Sequence, residues 1–212
     1  MKKPLLTFCL ILFTVITFAQ TVKFGLKAGL NLSKQTLTGA FTIESENLTG
    51  FHAGGIMDIR FANFSIQPGL LFSTKGERLV TQQVDINQQY AGTSTVTVKL
   101  NYLELPVNLL YKQHFTGSTL GYLGGGPYIG YGISGTASGN GSSSKLNFGN
   151  NNDPNTANYK NPDYGINFIG GVEINNVIIG VNYGLGLRNL SYGQGVTLNN
   201  KVLGVSLGYL FN

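Results

Sequence analysis

The chain has 212 residues, of which 42% are hydrophobic and only 11% charged, with 30 glycines, 11 tyrosines, 13 phenylalanines and a formal net charge of +5. Its 14 basic and 9 acidic residues are scattered along the chain, which excludes the clustered basic footprint of a nucleic-acid binder. The single cysteine, Cys9, lies in an N-terminal apolar run, so disulfide and thiolate-metal chemistry are excluded from everything that follows.

The chain opens Met1-Lys2-Lys3, continues with an apolar run from Leu5 to Phe18, and reaches Thr17-Phe18-Ala19 before Gln20. This reads as a secretory signal peptide over 1–19, because the run is shorter than the roughly 20 residues a spanning helix needs. No small residue precedes Cys9, which argues against lipoprotein processing. Removing 19 of the 212 residues leaves 193, and losing Lys2 and Lys3 lowers the formal charge from +5 to +3. Residues 20–212 then form one domain. Nothing in it approaches a continuous apolar stretch of spanning length, so any membrane insertion must be as strands.

The first strand shows the governing pattern. Val22, Phe24, Leu26, Ala28, Leu30 and Leu32 alternate with Lys23, Gly25, Lys27, Gly29, Asn31 and Ser33. Alternate side chains of a strand point to opposite faces, so one face is apolar and the other polar and basic. Eight such segments follow in order, at about 22–33, 51–62, 64–74, 95–111, 119–134, 164–174, 177–188 and 202–211. Their connections alternate in length. The segments at 34–50, 75–94 and 135–163 are long and polar, and the seventh, 189–201, is intermediate. Ala62-Asn63, 112–118 and Asn175-Asn176 are short. An even number of strands with short turns at one end and long loops at the other predicts an all-β fold, an eight-stranded antiparallel up-and-down transmembrane β-barrel of the bacterial outer membrane. A soluble lipocalin-like barrel shares the alternation but gives no reason for the parity of the loops.

Aromatic residues near segment ends, at Phe51, Phe61, Phe64, Tyr102, Tyr111, Tyr164, Tyr192 and Tyr209, suit the two interfacial girdles of such a barrel. Between Val96 and Val107 the apolar phase moves from even to odd numbers at Tyr102-Leu103, which predicts a β-bulge there. Pro68, Pro106 and Pro127 each remove a ladder donor and predict local irregularity. The run Gly124-Gly125-Gly126-Pro127 lacks the Lys-Ser/Thr and following helix of a phosphate loop; its glycines instead leave room in a narrow lumen.

Tyr102-Leu103-Glu104-Leu105-Pro106, Gly125-Gly126-Pro127-Tyr128-Ile129-Gly130, Asp163-Tyr164-Gly165 and the closing Gly208-Tyr209-Leu210-Phe211 together resemble the PorT-like outer-membrane β-barrel family. The likeness spans the mature chain. It implies a fold and a compartment, and its namesake's link to a secretion apparatus implies a place in an envelope assembly. Asn212 after Phe211 departs from barrels that end on the aromatic itself.

By strand phase, the inward positions include Lys23, Lys27, His52, Asp58, Arg60, Gln67, Glu104, Glu173 and Arg188. Acids and bases are close to balance, which predicts a lumen stapled by ion pairs, with Lys27, Asp58, Arg60, Glu104, Glu173 and Arg188 as its polar network. No catalytic, cofactor-binding or metal site is expected. His52, near the outer end of its strand, is the one candidate base for a lipid-modifying enzyme, and a serine and a carboxylate would have to complete it. His114 falls in a short connection and looks less catalytic still. Asp153 and Asp163 lie ten residues apart without the acidic spacing of a calcium loop, and are expected to be solvated. The Ser/Gly/Asn-rich run from Ser134 to Asn152 reads as a low-complexity loop. An eight-stranded barrel is filled by its own side chains, so a narrow channel is a weaker expectation than a structural or loop-presenting role. The expected partners are outer-membrane lipid, lipopolysaccharide and envelope proteins, not nucleic acid.

Overall fold

A computed structural model describes residues 21–39, 42–84, 90–149 and 159–211. The expected leader and its cleavage site lie outside these residues, as does Asp153. Among the described residues twelve strands follow one another: β1 (Thr21–Thr38), β2 (Thr42–Glu44), β3 (Leu48–Phe61), β4 (Phe64–Val84), β5 (Tyr90–Thr116), β6 (Thr119–Gly139), β7 (Ser142–Leu146), β8 (Phe148–Gly149), β9 (Tyr159–Lys160), β10 (Asp163–Ile174), β11 (Val177–Gly186) and β12 (Thr197–Phe211). Eight of them, β1, β3, β4, β5, β6, β10, β11 and β12, pair antiparallel in that order. β12 pairs back onto β1, so the sheet closes on itself. Closure leaves the wall without a free edge, the condition for a sheet to stand in hydrocarbon.

Alternation along each strand sets the two faces. On β1, Phe24 and Leu26 are 60% and 59% exposed, while Lys27, Asn31 and Ser33 beyond them are buried. An apolar residue on the outside and a polar one inside is the reverse of a soluble sandwich. Phe24, Leu26, Leu30, Val205, Leu207 and Leu123 belong to an outward belt. Aromatic pairs border it: Phe61–Phe64, Phe64–Tyr111 and Tyr209–Phe211 at the short-turn end, and Phe51–Phe72 toward the other. Tyr102 is not among them. It is fully buried on the inner face.

Three two-residue turns close one end: Ala62-Asn63, Gly117-Ser118 and Asn175-Asn176. Ala62 and Asn175 take φ of 51° and 55°, the left-handed conformation that matches a tight hairpin to strand twist. The other end is longer than the sequence suggests. β4 runs to Val84, β5 begins at Tyr90 and β6 runs to Gly139, so the expected loops 75–94 and 135–163 are in good part strand. Residues 135–139 of β6 pair with β7, and β8 pairs with β9, so most of the described part of the Ser134–Asn152 run is sheet.

The expected bulge is present, but on the facing strand. Inward residues of β5 are even-numbered without interruption from Val98 through Leu100, Tyr102, Glu104 and Asn108 to Lys112. The β5–β6 register instead passes from Asn101 opposite Ser134 to Tyr102 opposite Gly132, leaving Ile133 as the extra residue. The apolar phase change in β5 has another cause. Toward the short-turn end, the apolar side of β5 faces outward; toward the loops, it faces inward, into a second core. The three prolines act as expected of residues with no N–H: pairing lapses beside Pro68, Pro106 and Pro127 and resumes in the same register.

Candidate functional site: the barrel lumen

The inner face is organised in layers, and β5 crosses all of them. Lys112 belongs to an ion cluster at the short-turn end, Leu110 to an apolar layer, Asn108, Pro106 and Glu104 to a polar chamber, and Tyr102, Leu100 and Val98 to an outer apolar cap.

In the first cluster, Lys112 Nζ donates to both oxygens of Asp58 at 2.9 Å and to Glu173 Oε2 at 2.8 Å. Arg60 Nη2 reaches the same Glu173 oxygen at 2.8 Å and lies 3.9 Å from Asp58 Oδ2. Ser65 donates to Asp58, and Lys23 Nζ donates to Asn176 Oδ1 at 2.9 Å near the turn. Gln67 Nε2 approaches Asp58 at 3.5 Å. Above this, Ile56, Leu71, Leu110, Tyr122, Ile169, Ile178 and Leu210 pack as an apolar layer. The Tyr122 hydroxyl lies against Gly171 and Gly180, where a Cβ would occupy its place.

A second charge cluster is centred on Lys75. Its Nζ lies 2.9 Å from Glu104 Oε2 and 3.2 Å from Asp163 Oδ2, and 4.2 Å from the centre of the Tyr128 ring. Asn200 Nδ2 donates to Asp163 Oδ2 at 3.0 Å, Gln35 Nε2 to Asn200 Oδ1 at 2.8 Å, and Tyr159 Oη to Gln35 Oε1 at 3.2 Å. The chain thus leads from the lumen to the outer cap. There Val98, Leu100, Tyr102, Tyr159 and Leu190 are buried, with Phe148 packed edge-on to Tyr102. Asn161 fastens this cap to the wall, pairing both amide atoms with the Gly132 backbone at 2.9 Å, one residue from the bulge.

Of the residues singled out from the sequence, Asp58, Arg60 and Glu173 meet in one cluster, and Glu104 lies in the other. Lys27 is buried and lines the chamber, where the Glu104 carboxylate attracts it. Arg188 joins neither. β11 ends at Gly186, and the Arg188 guanidinium lies 5.7 Å from the ring of outward-facing Tyr164. Asp163, expected to be solvated, is fully buried on Lys75. Lys75, Lys112 and Asp163 escaped the strand-phase argument because each stands one residue beyond a predicted strand end. Extending the phase by that residue would have placed all three inside.

His52 is 4% exposed. Its Nδ1 lies 2.8 Å from Asn31 Oδ1. Among the described residues, no group of three or more His, Cys, Asp or Glu side chains could hold a metal.

Solved structures with a similar course of chain include Neisserial surface protein A (TM-score 0.48, 12% identity, 90% of this chain and 99% of that one). They also include Ail, the attachment invasion locus protein of Yersinia pestis (0.40, 10%, 88% and 98%), and the N-terminal β-barrel domain of Pseudomonas aeruginosa OprF (0.36, 11%, 90% and 100%). No curated protein matches the chain in sequence. The family described as Outer membrane protein beta-barrel domain matches residues 18–192. With a closed ring of eight strands, an apolar belt outside and ion pairs within, this chain belongs to that family and is a β-barrel protein of the bacterial outer membrane.

Proposed function

We propose that the protein is a non-enzymatic interaction module that presents its loop end to a partner in the envelope, in the manner of a PorT-like component of a secretion or envelope assembly. One observation carries this reading. The loop end is built as a platform with its own apolar core, whereas the lumen is filled with paired charge. A fold whose task was passage would leave the lumen open, and one whose task was only to anchor would not extend β4, β5 and β6 into a packed outer sheet. Lipid contact follows from the outward belt. Beyond it Arg78, Lys99 and Lys145 are exposed on neighbouring strands, with Lys99 opposite Gly76 and Thr136, and Thr136 opposite Lys145. Cations at that level suit the phosphates of lipopolysaccharide.

Against an enzyme stands the setting of His52. It is buried, Asn31 rather than a carboxylate holds its Nδ1, and no serine hydroxyl is bonded to its Nε2 among the described residues. The test is crosslinking in native outer membrane followed by mild-detergent purification. Stoichiometric envelope proteins are expected. A clean monomer that modifies phospholipid or lipid A, and loses that activity in His52→Ala, would overturn the proposal in favour of the enzyme.

A further inference from the structure

Between the apolar layer and the Lys75 cluster lies a cavity of about 40 Å³. Its lining includes Lys27, His52, Glu104, Asn108 and Asn182. Leu71 and Ile169 of the apolar layer floor it. Lys75, which lies 5.2 Å from the Tyr102 ring of the cap, roofs it.

The chemistry of the lining is lopsided. His52 Nε2, Asn108 Oδ1 and Asn182 Oδ1 are buried without a hydrogen-bond partner among the described residues. The His52 tautomer follows from its neighbour. Asn31 Nδ2 lies 3.2 Å from the Thr74 carbonyl oxygen and 3.2 Å from Ser73 Oγ, with the Phe51 carbonyl oxygen at 3.4 Å. Carbonyls only accept, so this atom must be the amide nitrogen. The atom facing the ring is therefore the amide oxygen, and the neutral imidazole must donate to it from Nδ1. Nε2 is left with a bare lone pair. Three acceptors without donors in a polar cavity call for a small donor, because a buried polar group left unmatched bears its desolvation cost without compensation.

We propose that this chamber binds ordered water, about one to three molecules by volume, anchored on His52 Nε2 and closed off from both bulk phases by the apolar layers. Water is small enough for the space and, as donor and acceptor at once, can bridge these acceptors to one another and to Lys27. The site is a structural water store inside the barrel, and it gives His52 a role that involves no substrate.

The experiment uses the full barrel in detergent micelles carrying His114→Gln, which leaves His52 as the sole imidazole, since the chain has two histidines. Ring nitrogen spectra should show Nδ1 protonated and Nε2 as a bare acceptor. Water-selective cross-relaxation should reach the His52 ring protons with the sign of long-lived water. A ring protonated at Nε2 instead, or ring protons with no water signal, would overturn the proposal. Leu110→Ser together with Lys112→Ser, which removes both the layer and the centre of the ion cluster behind it, then tests the seal once intact heat-modifiable migration is checked. The long-lived water signal should be lost as the layer is breached; a signal unchanged in this variant would show that the layer does not confine the water.

Discussion

Lys75 and Lys112 each hold two carboxylates, so removing either ammonium strands two buried charges at once. Lys75→Met should lower unfolding stability in micelles by about 3–5 kcal/mol, the range for a broken buried pair. Adding Glu104→Gln and Asp163→Asn should recover most of it; denaturant titration of the three-fold variant checks this. Outside the membrane-spanning part, Glu77 behaves differently. Burial raises its carboxyl above the ordinary value, and a hydrogen bond with Ser45 offsets only part of this. A raised acid contributes stability below its unfolded value and loses it as pH rises through the folded one. Hydrogen-exchange protection factors in the outer halves of β4 and β5 should therefore rise on mild acidification, and Glu77→Gln should remove the dependence. Asp58, Arg60, Glu104 and Glu173 were legible as inward residues because strand phase alone places them. Lys75, Lys112 and Asp163 were not, because a charge at a strand end looks solvated until its partner, 88 residues away for Lys75 and Asp163, is known.

At the scale of the element, period-2 alternation fixed the faces of all eight wall strands, since a belt facing lipid and a polar lumen leave little freedom of phase. It misled where the surroundings changed along one strand. The switch at Tyr102-Leu103 looked like a bulge, yet β5 keeps its phase and simply passes from a wall with lipid outside to a platform with an apolar core inside. The bulge at Ile133 serves that change on β6, turning Gly135 and Ala137 inward toward Leu146 and Leu100. Deleting Ile133 should remove the bulge and leave Gly132 and Ser134 adjacent opposite Tyr102 and Asn101, so that Gly135 and Ala137 keep facing the cap. The expected result is a barrel that still inserts, shows heat-modifiable migration and keeps its outer sheet protected from added protease. Cleavage within that sheet in the deletion variant would mean that the bulge does more than absorb one residue between wall and platform.

For the molecule as a whole, the parity of turns and loops was enough to predict a barrel with short turns at one end and long loops at the other. The closure of the lumen could not be read in the same way, because its layers are assembled from residues of every wall strand and from β9 and the 187–196 loop. Closure is redundant. Tyr159 and Leu190 seal the loop end, while Leu110, Leu210 and their neighbours, backed by the Lys112 ion cluster, seal the middle and the turn end. Opening a path therefore requires breaching at least two of these layers, and a breach at the loop end alone leaves the apolar layer intact. The double variant Tyr159→Ala with Leu190→Ala should loosen the platform without creating a pore, and planar-bilayer recordings should show no large, stable conductance steps in either it or the parent protein. Adding Leu110→Ser and Lys112→Ser to that variant should be the first combination to pass ions. If the cap variant alone conducts, the inner layers do not close the barrel, and the narrow-channel reading regains its place.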